Sequence, residues 1–323
     1  MGVQSDPPFC GAVVTQFVAQ PGSPSIARST ASAMLAGLAD LAKETAAKAE
    51  ETPIAECTRS RIPSGDLGSL GGVLLPRLIA TDLDGTLLRP DGAVSDRTLA
   101  ALRAITELGA TVVFVTARPP RQLDKLAERL RLSGPAVCSN GAIVYTLSSH
   151  VFAEVHALEV KTVREVVKAL AGTLPDVRFA VDTGRMAYDG PGYDWPSPDD
   201  RKGARVRIDD AEQLWGVGDP IVKLLAWSPR LDTYSMLSIA AEAVQQVAEI
   251  TCSSAVGPLE VSAPGVTKAS TVAGLCGSLG VNRSEVIAFG DMPNDLSLLR
   301  WAGAGYAMAN AHPSVLSAVP LHT

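Results

Sequence analysis

The chain has 323 residues, of which 46% are hydrophobic and 19% charged, enough for two domains with proper cores. Its net charge of −6 argues against a general binder of nucleic acid or anionic membranes, and no apolar run approaches a membrane span. Five scattered cysteines (Cys10, Cys57, Cys138, Cys252, Cys276) form no C-x-x-C pair, and the N-terminus lacks a charged start leading into a clean apolar core, which points to reduced thiols in a cytoplasmic protein.

Residues 1–76 read as an extension, broken by proline, glycine and serine at both ends. Between them, Ser29–Glu51 is alanine-rich, and Met34, Leu35, Leu38 and Leu41 fall on one helical face. This extension is expected to be weakly ordered with one helix; a partner-binding helix is the sharper alternative.

A regular pattern begins at Arg77. Leu78, Ile79 and Ala80 are a short apolar strand that runs into Asp82-Leu83-Asp84-Gly85-Thr86. Residues two apart on a strand face the same side, so the Asp82 and Asp84 carboxylates leave the strand end together. Two such charges need a cation or a shared proton, and Mg²⁺ suits them because it takes oxygen ligands and keeps room for water and phosphate oxygens. Gly85 permits a tight turn, and Thr86 offers a hydroxyl. Taken alone, D-x-D is also what an acidic turn after a buried strand looks like.

Ser95 is the predicted N-cap of a helix carrying Leu99, Leu102, Ile105 and Leu108, ended by Gly109. The run T-V-V-F-V is a second buried strand ending at Thr116. Pro119 or Pro120 opens another helix, with Leu123, Leu126 and Leu130 at helical spacing and Gly134 closing it. Ala136–Cys138 is a third strand, followed by Ser139-Asn140-Gly141. This rhythm predicts an α/β fold with a doubly wound parallel sheet, which binds ligands off the carboxyl ends of its strands. Asp82, Thr116 and Asn140 all lie at such ends.

The rhythm changes after Tyr145. The pattern predicts a helix over Val163–Leu170, strands at Val177–Val181 and Met186–Tyr188, and a loop over Asp189–Lys202. A strand at Ile221–Trp227, a helix at Leu231–Ala248 and a hairpin of Glu249–Cys252 with Pro258–Val261 follow. Residues 157–262 thus read as an α+β cap inserted into a core made of 77–156 and 263–323. Thr267 then caps a helix, Val286–Phe289 is a parallel strand ending at Gly290-Asp291, Pro293 opens a helix, and Ala304–Met308 is a last strand.

Four stretches in order, DLDGTLL (82–88), VTAR (115–118), GVTKAS (265–270) and GDMPNDLSLL (290–299), resemble the motifs of the haloacid-dehalogenase-like hydrolase superfamily. SNGA (139–142) and the inserted block resemble its Cof-type branch, known for sugar phosphatases with an α/β cap. The resemblance spans roughly residues 77–312. It implies a Mg²⁺-dependent phosphatase for small phosphorylated metabolites, most of all sugar phosphates, with no nucleic-acid or membrane partner. Asp82 would be the nucleophile that forms an aspartyl-phosphate, and Asp84 the general acid and then base. Thr116, Lys268, Gly85 and Asn140 would bind the phosphate. Asp82, the Asp84 carbonyl, Asp291 and Asp295 would hold the metal, with Asn294 supporting. Singly, Thr116 is also an ordinary strand-end residue, Lys268 a solvated helix lysine, Asn140 a turn former, and Asp291 and Asp295 acids near a helix N-terminus. Arg118 reads as a surface ion-pair residue and Arg178 as a cap-strand residue.

Relatives run on past an N-A-H-P-like stretch into a further strand and helix. Here only Ser314–Thr323 remains, so the sheet edge is expected to be exposed. A phosphomutase using the same intermediate, or a sensor that binds phosphorylated metabolites without turnover, are the competing functions.

Overall fold

A computed structural model describes residues 75–196, 204–244 and 247–323. The expected helix within Ser29–Glu51 lies outside the described residues, as do Cys10 and Cys57. The described chain opens with β1 (Leu78–Thr81), α1 (Asp96–Glu107), β2 (Thr111–Val115), α2 (Pro120–Leu130), β3 (Pro135–Cys138), β4 (Ile143–Thr146) and β5 (Val151–Val155). The inserted block supplies α3 (Val160–Thr173), β6 (Arg178–Asp182), β7 (Ala187–Asp189), β8 (Arg205–Arg207), β9 (Lys223–Trp227), α4 (Thr233–Val244), β10 (Glu249–Thr251) and β11 (Leu259–Ser262). The chain then returns through α5 (Lys268–Leu279), β12 (Val286–Gly290), α6 (Leu296–Trp301), β13 (Ala304–Ala307), α7 (Pro313–Ala318) and β14 (Leu321–His322).

Two sheets result. The first has the order β14-β13-β12-β1-β2-β3-β4-β5, parallel from β14 to β3 and antiparallel over β3-β4-β5. The second has the order β10-β11-β9-β6-β7-β8 and is antiparallel except for β7-β8. Each covers its own hydrophobic cluster, one around Ile79, Val113, Phe114 and Phe289, the other around Val166, Leu170, Leu224 and Val261. β1 sits fully buried between β2 and β12, which explains its unbroken apolar run.

Local chemistry sets the helix ends. The Ser95 side chain accepts from the Thr98 backbone N–H, and Pro120 occupies the first turn of α2, where a missing N–H is harmless. α2 ends at Leu130 with Arg131 left-handed, three residues before the glycine expected to close it. Among the sheet elements that escaped the sequence pattern are β5, β8 and β14. β5 is an edge strand with mostly exposed residues, and its short run Val-Phe-Ala is broken by Glu154. β8 lies three residues beyond the expected loop, in the polar segment Arg205–Arg207. β14 pairs with β13 through Tyr306–Leu321 and Ala307–His322, so that flank of β13 is covered, contrary to the expected exposed edge. Val315 of α7 is wholly buried and anchors that return.

Candidate active site

β1, β2, β12 and α5 bring their ends together. Asp82 follows β1, its N–H bonded to the Phe289 carbonyl of β12 at 3.0 Å, which locks the aspartate between the two strands. Its carboxylate is buried, whereas Asp84 stands more than half exposed at the same cavity. Leu83 between them is fully buried, as the strand alternation requires. Thr116, at the end of β2, is buried and accepts from the Arg118 N–H at 3.1 Å, leaving its hydroxyl proton to donate.

Lys268 opens α5. Thr267 caps that helix, and its side chain and that of Ser270 each bond the other's backbone N–H. Its ammonium reaches Asp82 Oδ1 and Asp295 Oδ1, both at 2.6 Å, with the lysine 1% exposed. It lies behind the two carboxylates and does not line the cavity. Burial alone would push this ammonium down, but Asp295 and Asp82 outweigh it and hold it above its ordinary value.

One ammonium cannot neutralise three acids. Asp82, Asp291 and Asp295 have carboxylate oxygens all within 4.8 Å of one another. Burial pushes Asp82 well above the usual carboxylate range against the pull of Lys268, with Asp295 adding to the rise. This donor set fits a hard divalent cation, which takes oxygen ligands. Its members are not equivalent. Asp295 already accepts from Lys268 and from the backbone N–H groups of Asp291 and Met292, so it orients its neighbours. Asp291 accepts from Thr86 at 2.8 Å and keeps its other oxygen over Gly85.

Gly85 has φ +82°, and a Cβ there would lie 2.2 Å from Asp291 Oδ2. Asn310, in the N-A-H-P stretch but given no role from the sequence, donates to the Gly85 carbonyl at 2.9 Å and holds the turn. Gly85→Ala is expected to cost about 2–4 kcal/mol from left-handed strain and overpacking. It should also weaken the binding of a divalent cation to these acids. Urea denaturation and a metal titration check both, and unchanged values in the two would refute the tight-turn role.

Burial also pushes the Asp291 carboxyl up to about 6, although the Thr86 hydroxyl favours its ionised form. The folded value lies above the unfolded one, so the ionised group weakens the fold at neutral pH. That loss is relieved as the pH falls through about 6 toward the ordinary carboxylate range. In chelator-treated protein, the wild type should gain about 1 kcal/mol relative to Asp291→Asn between about pH 7 and about pH 5. A constant difference in urea denaturation would contradict this.

Other expected residues are placed differently. Asn140 does not line the cavity; its amide donates to Glu260 and accepts from Asn294 at 3.0 Å. Asn294 does line the cavity. Arg118, read as a surface ion-pair residue, grips both oxygens of Asp84 at 2.7 Å each, so its partner is a candidate site residue. Arg178 opens β6 and donates to the Val177 carbonyl.

The cavity, about 490 Å³, lies between the two sheets. Tyr193, Trp195 and Arg205 of the insert stand on its wall. Three polar ties cross beside it: Arg121 to Asp182 at 2.8 and 2.6 Å, Lys223 to the Ala117 carbonyl at 2.8 Å, and Asn140 to Glu260. Lys223 and Glu260 were missed in the sequence. The available signal was a charge inside the otherwise apolar runs KLLAW and LEVS, both of which are buried for most of their length.

A family profile described as haloacid dehalogenase-like hydrolase matches residues 79–323. The HMP-PP phosphatase of Cronobacter sakazakii is 27% identical over 252 residues, covering 76% of this chain and 89% of that protein. The 5-amino-6-(5-phospho-D-ribitylamino)uracil phosphatase YitU of Bacillus subtilis is also 27% identical, over 253 residues, covering 74% of this chain and 89% of that one. A solved structure of a haloacid dehalogenase-like hydrolase from Bacteroides thetaiotaomicron aligns with a TM-score of 0.60 at 26% identity, over 77% of this chain and 94% of that chain. Among the described residues, no helix is long and apolar enough to cross a membrane.

Proposed function

The chain belongs to the haloacid dehalogenase-like hydrolase family, in its Cof-type branch, and from that premise we propose a Mg²⁺-dependent phosphatase acting on small phosphorylated metabolites, foremost sugar monophosphates. That it is a phosphoric monoester hydrolase follows from the family and from relatives named as phosphatases. The finer reading rests on one observation. A buried carboxylate, Asp82, lies against a buried ammonium on one side and opens on the cavity beside Asp84 on the other.

Asp82 is the proposed nucleophile: Lys268 fixes one of its oxygens, so the attacking carboxylate is aimed and its charge partly offset. Attack makes an aspartyl-phosphate and releases the alcohol. Asp84 gives a proton to the departing oxygen and then takes one from the water that attacks phosphorus, which breaks the Asp82 oxygen–phosphorus bond and releases phosphate. Arg118 holds both Asp84 oxygens as acceptors, so this transfer requires the guanidinium to yield one of them. Thr116 and the backbone N–H groups after Asp84 offer donors to the phosphoryl oxygens. Asp82, the Asp84 carbonyl and Asp291 would hold Mg²⁺, with Asp295 orienting them. When bound, the ion offsets charge on the transferring phosphoryl group.

The names of the two curated relatives support a small phosphorylated substrate. The cavity volume suits a metabolite better than a polymer. The test is a panel of sugar monophosphates, nucleotides and p-nitrophenyl phosphate, with Mg²⁺ and with chelator. Phosphate release that requires Mg²⁺ and favours sugar monophosphates is expected. Binding without release across the panel would favour a sensor instead, and isomerisation of a sugar phosphate without release would favour a mutase.

A further inference from the structure

The half of the cavity contributed by the insert holds its charges in pairs. Arg121 pairs with Asp182, Arg205 with Asp189, and Lys223 with Glu260 at 3.3 Å. A leaving group that meets these walls therefore meets donors and acceptors without a net charge to balance.

The last pair can be counted atom by atom. The Lys223 ammonium has three protons. One goes to the Ala117 carbonyl at 2.8 Å, and Glu260 Oε2 lies 3.3 Å from the same ammonium as its ion-pair partner. Glu260 Oε2 accepts from Asn140 and faces the Lys223 ammonium, while among the described residues Oε1 accepts from Ser253 alone, at 2.9 Å. At least one donor remains on Lys223 and one acceptor site on Glu260 Oε1. Both side chains are about nine-tenths or more buried, and both line the cavity. A buried donor and a buried acceptor left over side by side call for a partner that can do both jobs, and a pair of neighbouring hydroxyls does so without adding charge.

We propose that Lys223 and Glu260 are specificity-determining residues that together read two adjacent hydroxyls of the leaving group. One hydroxyl accepts the remaining Lys223 proton, and its neighbour donates to Glu260 Oε1. The inference rests on the phosphatase reading and names what the insert recognises. It also explains why these charges are kept within strands that are otherwise apolar.

The experiment measures phosphate release by the full chain with Mg²⁺. Its substrates are a hexose monophosphate, its deoxy analogues lacking one hydroxyl at a time, and p-nitrophenyl phosphate, which offers no diol. For the wild type, at least one deoxy analogue should lose about tenfold or more in kcat/KM, since buried polar groups are then left unpaired. The double variant Lys223→Met with Glu260→Met replaces a buried ion pair by apolar chains of similar length, a change that folds often tolerate. In it, the same deoxygenation should change kcat/KM by less than about twofold, because residue pair and hydroxyl are coupled. The ratio of hexose monophosphate to p-nitrophenyl phosphate activity should fall by about the factor seen in the wild type.

Equal losses on every ester, p-nitrophenyl phosphate included, would make the pair a structural tie and overturn the proposal. So would a wild type indifferent to every deoxygenation, a result that needs no variant to fold. Failure of the wild type to release phosphate from p-nitrophenyl phosphate would overturn the phosphatase reading itself, and this inference with it.

Discussion

Asp82→Asn is expected to abolish turnover while leaving the protein at least as stable as its parent. The carboxamide has nearly the same shape and can still accept from Lys268, but it cannot displace an alcohol from phosphorus. Losses on removal of a nucleophile are on the order of 10⁴-fold or more in kcat. Stability points the other way. Burial holds the Asp82 carboxyl above its usual range, so its ionised form weakens the fold at neutral pH. A neutral amide removes that loss. Steady-state phosphate release together with urea denaturation checks both halves. Residual activity within about tenfold of the wild type would remove Asp82 from the nucleophile's role. A dead enzyme that is also much less stable would leave the loss attributable to folding.

Lys268→Met should damage both activity and stability. The lysine is buried, with two carboxylates at 2.6 Å. Removing one partner from a buried ionic cluster leaves uncompensated charge, at a cost of about 3–5 kcal/mol. Loss of the aimed Asp82 oxygen should lower kcat on the order of 100-fold or more. The two variants thus separate by stability: Asp82→Asn unfolds at wild-type urea or above, Lys268→Met well below it. Because the excess negative charge is then greater, divalent cation should protect Lys268→Met more than the wild type in thermal unfolding. A Lys268→Met protein as stable as its parent would mean that the acids simply take up protons, and that the ammonium is not what holds the cluster together.

The parallel sheet was legible because burial writes itself into short apolar runs. Leu78–Thr81 and Thr111–Val115 are enclosed on both faces, so their sequences needed no alternation to be recognised. Edge elements left weaker traces. Val151–Val155 is mostly exposed, and Arg205–Arg207 is a three-residue strand of mostly charged residues, so neither has a periodic apolar signature. Leu321–His322 is too short to show a period at all.

The site divides along the same line. That Asp82 and Asp84 leave a strand end together, that Thr116 closes the next strand and that Asp291 closes another are consequences of local pattern, and the sequence by itself determined them. Which groups those residues meet was decided only by tertiary structure. Lys268 reaches Asp82 across 186 positions, and Asn140 reaches Glu260 across 120. Arg118 turns to Asp84, and Asn310 clamps Gly85 from the far end of the chain. The reason is physical. Hydrophobic periodicity reports how a residue faces its own layer, within a few positions of itself. An ion pair or a donor count depends on two side chains arriving at one point from distant segments, and no local period records that meeting. The position of Asp82 was therefore readable at the end of its strand, whereas the cavity wall that faces it exists only once the insert has folded over it.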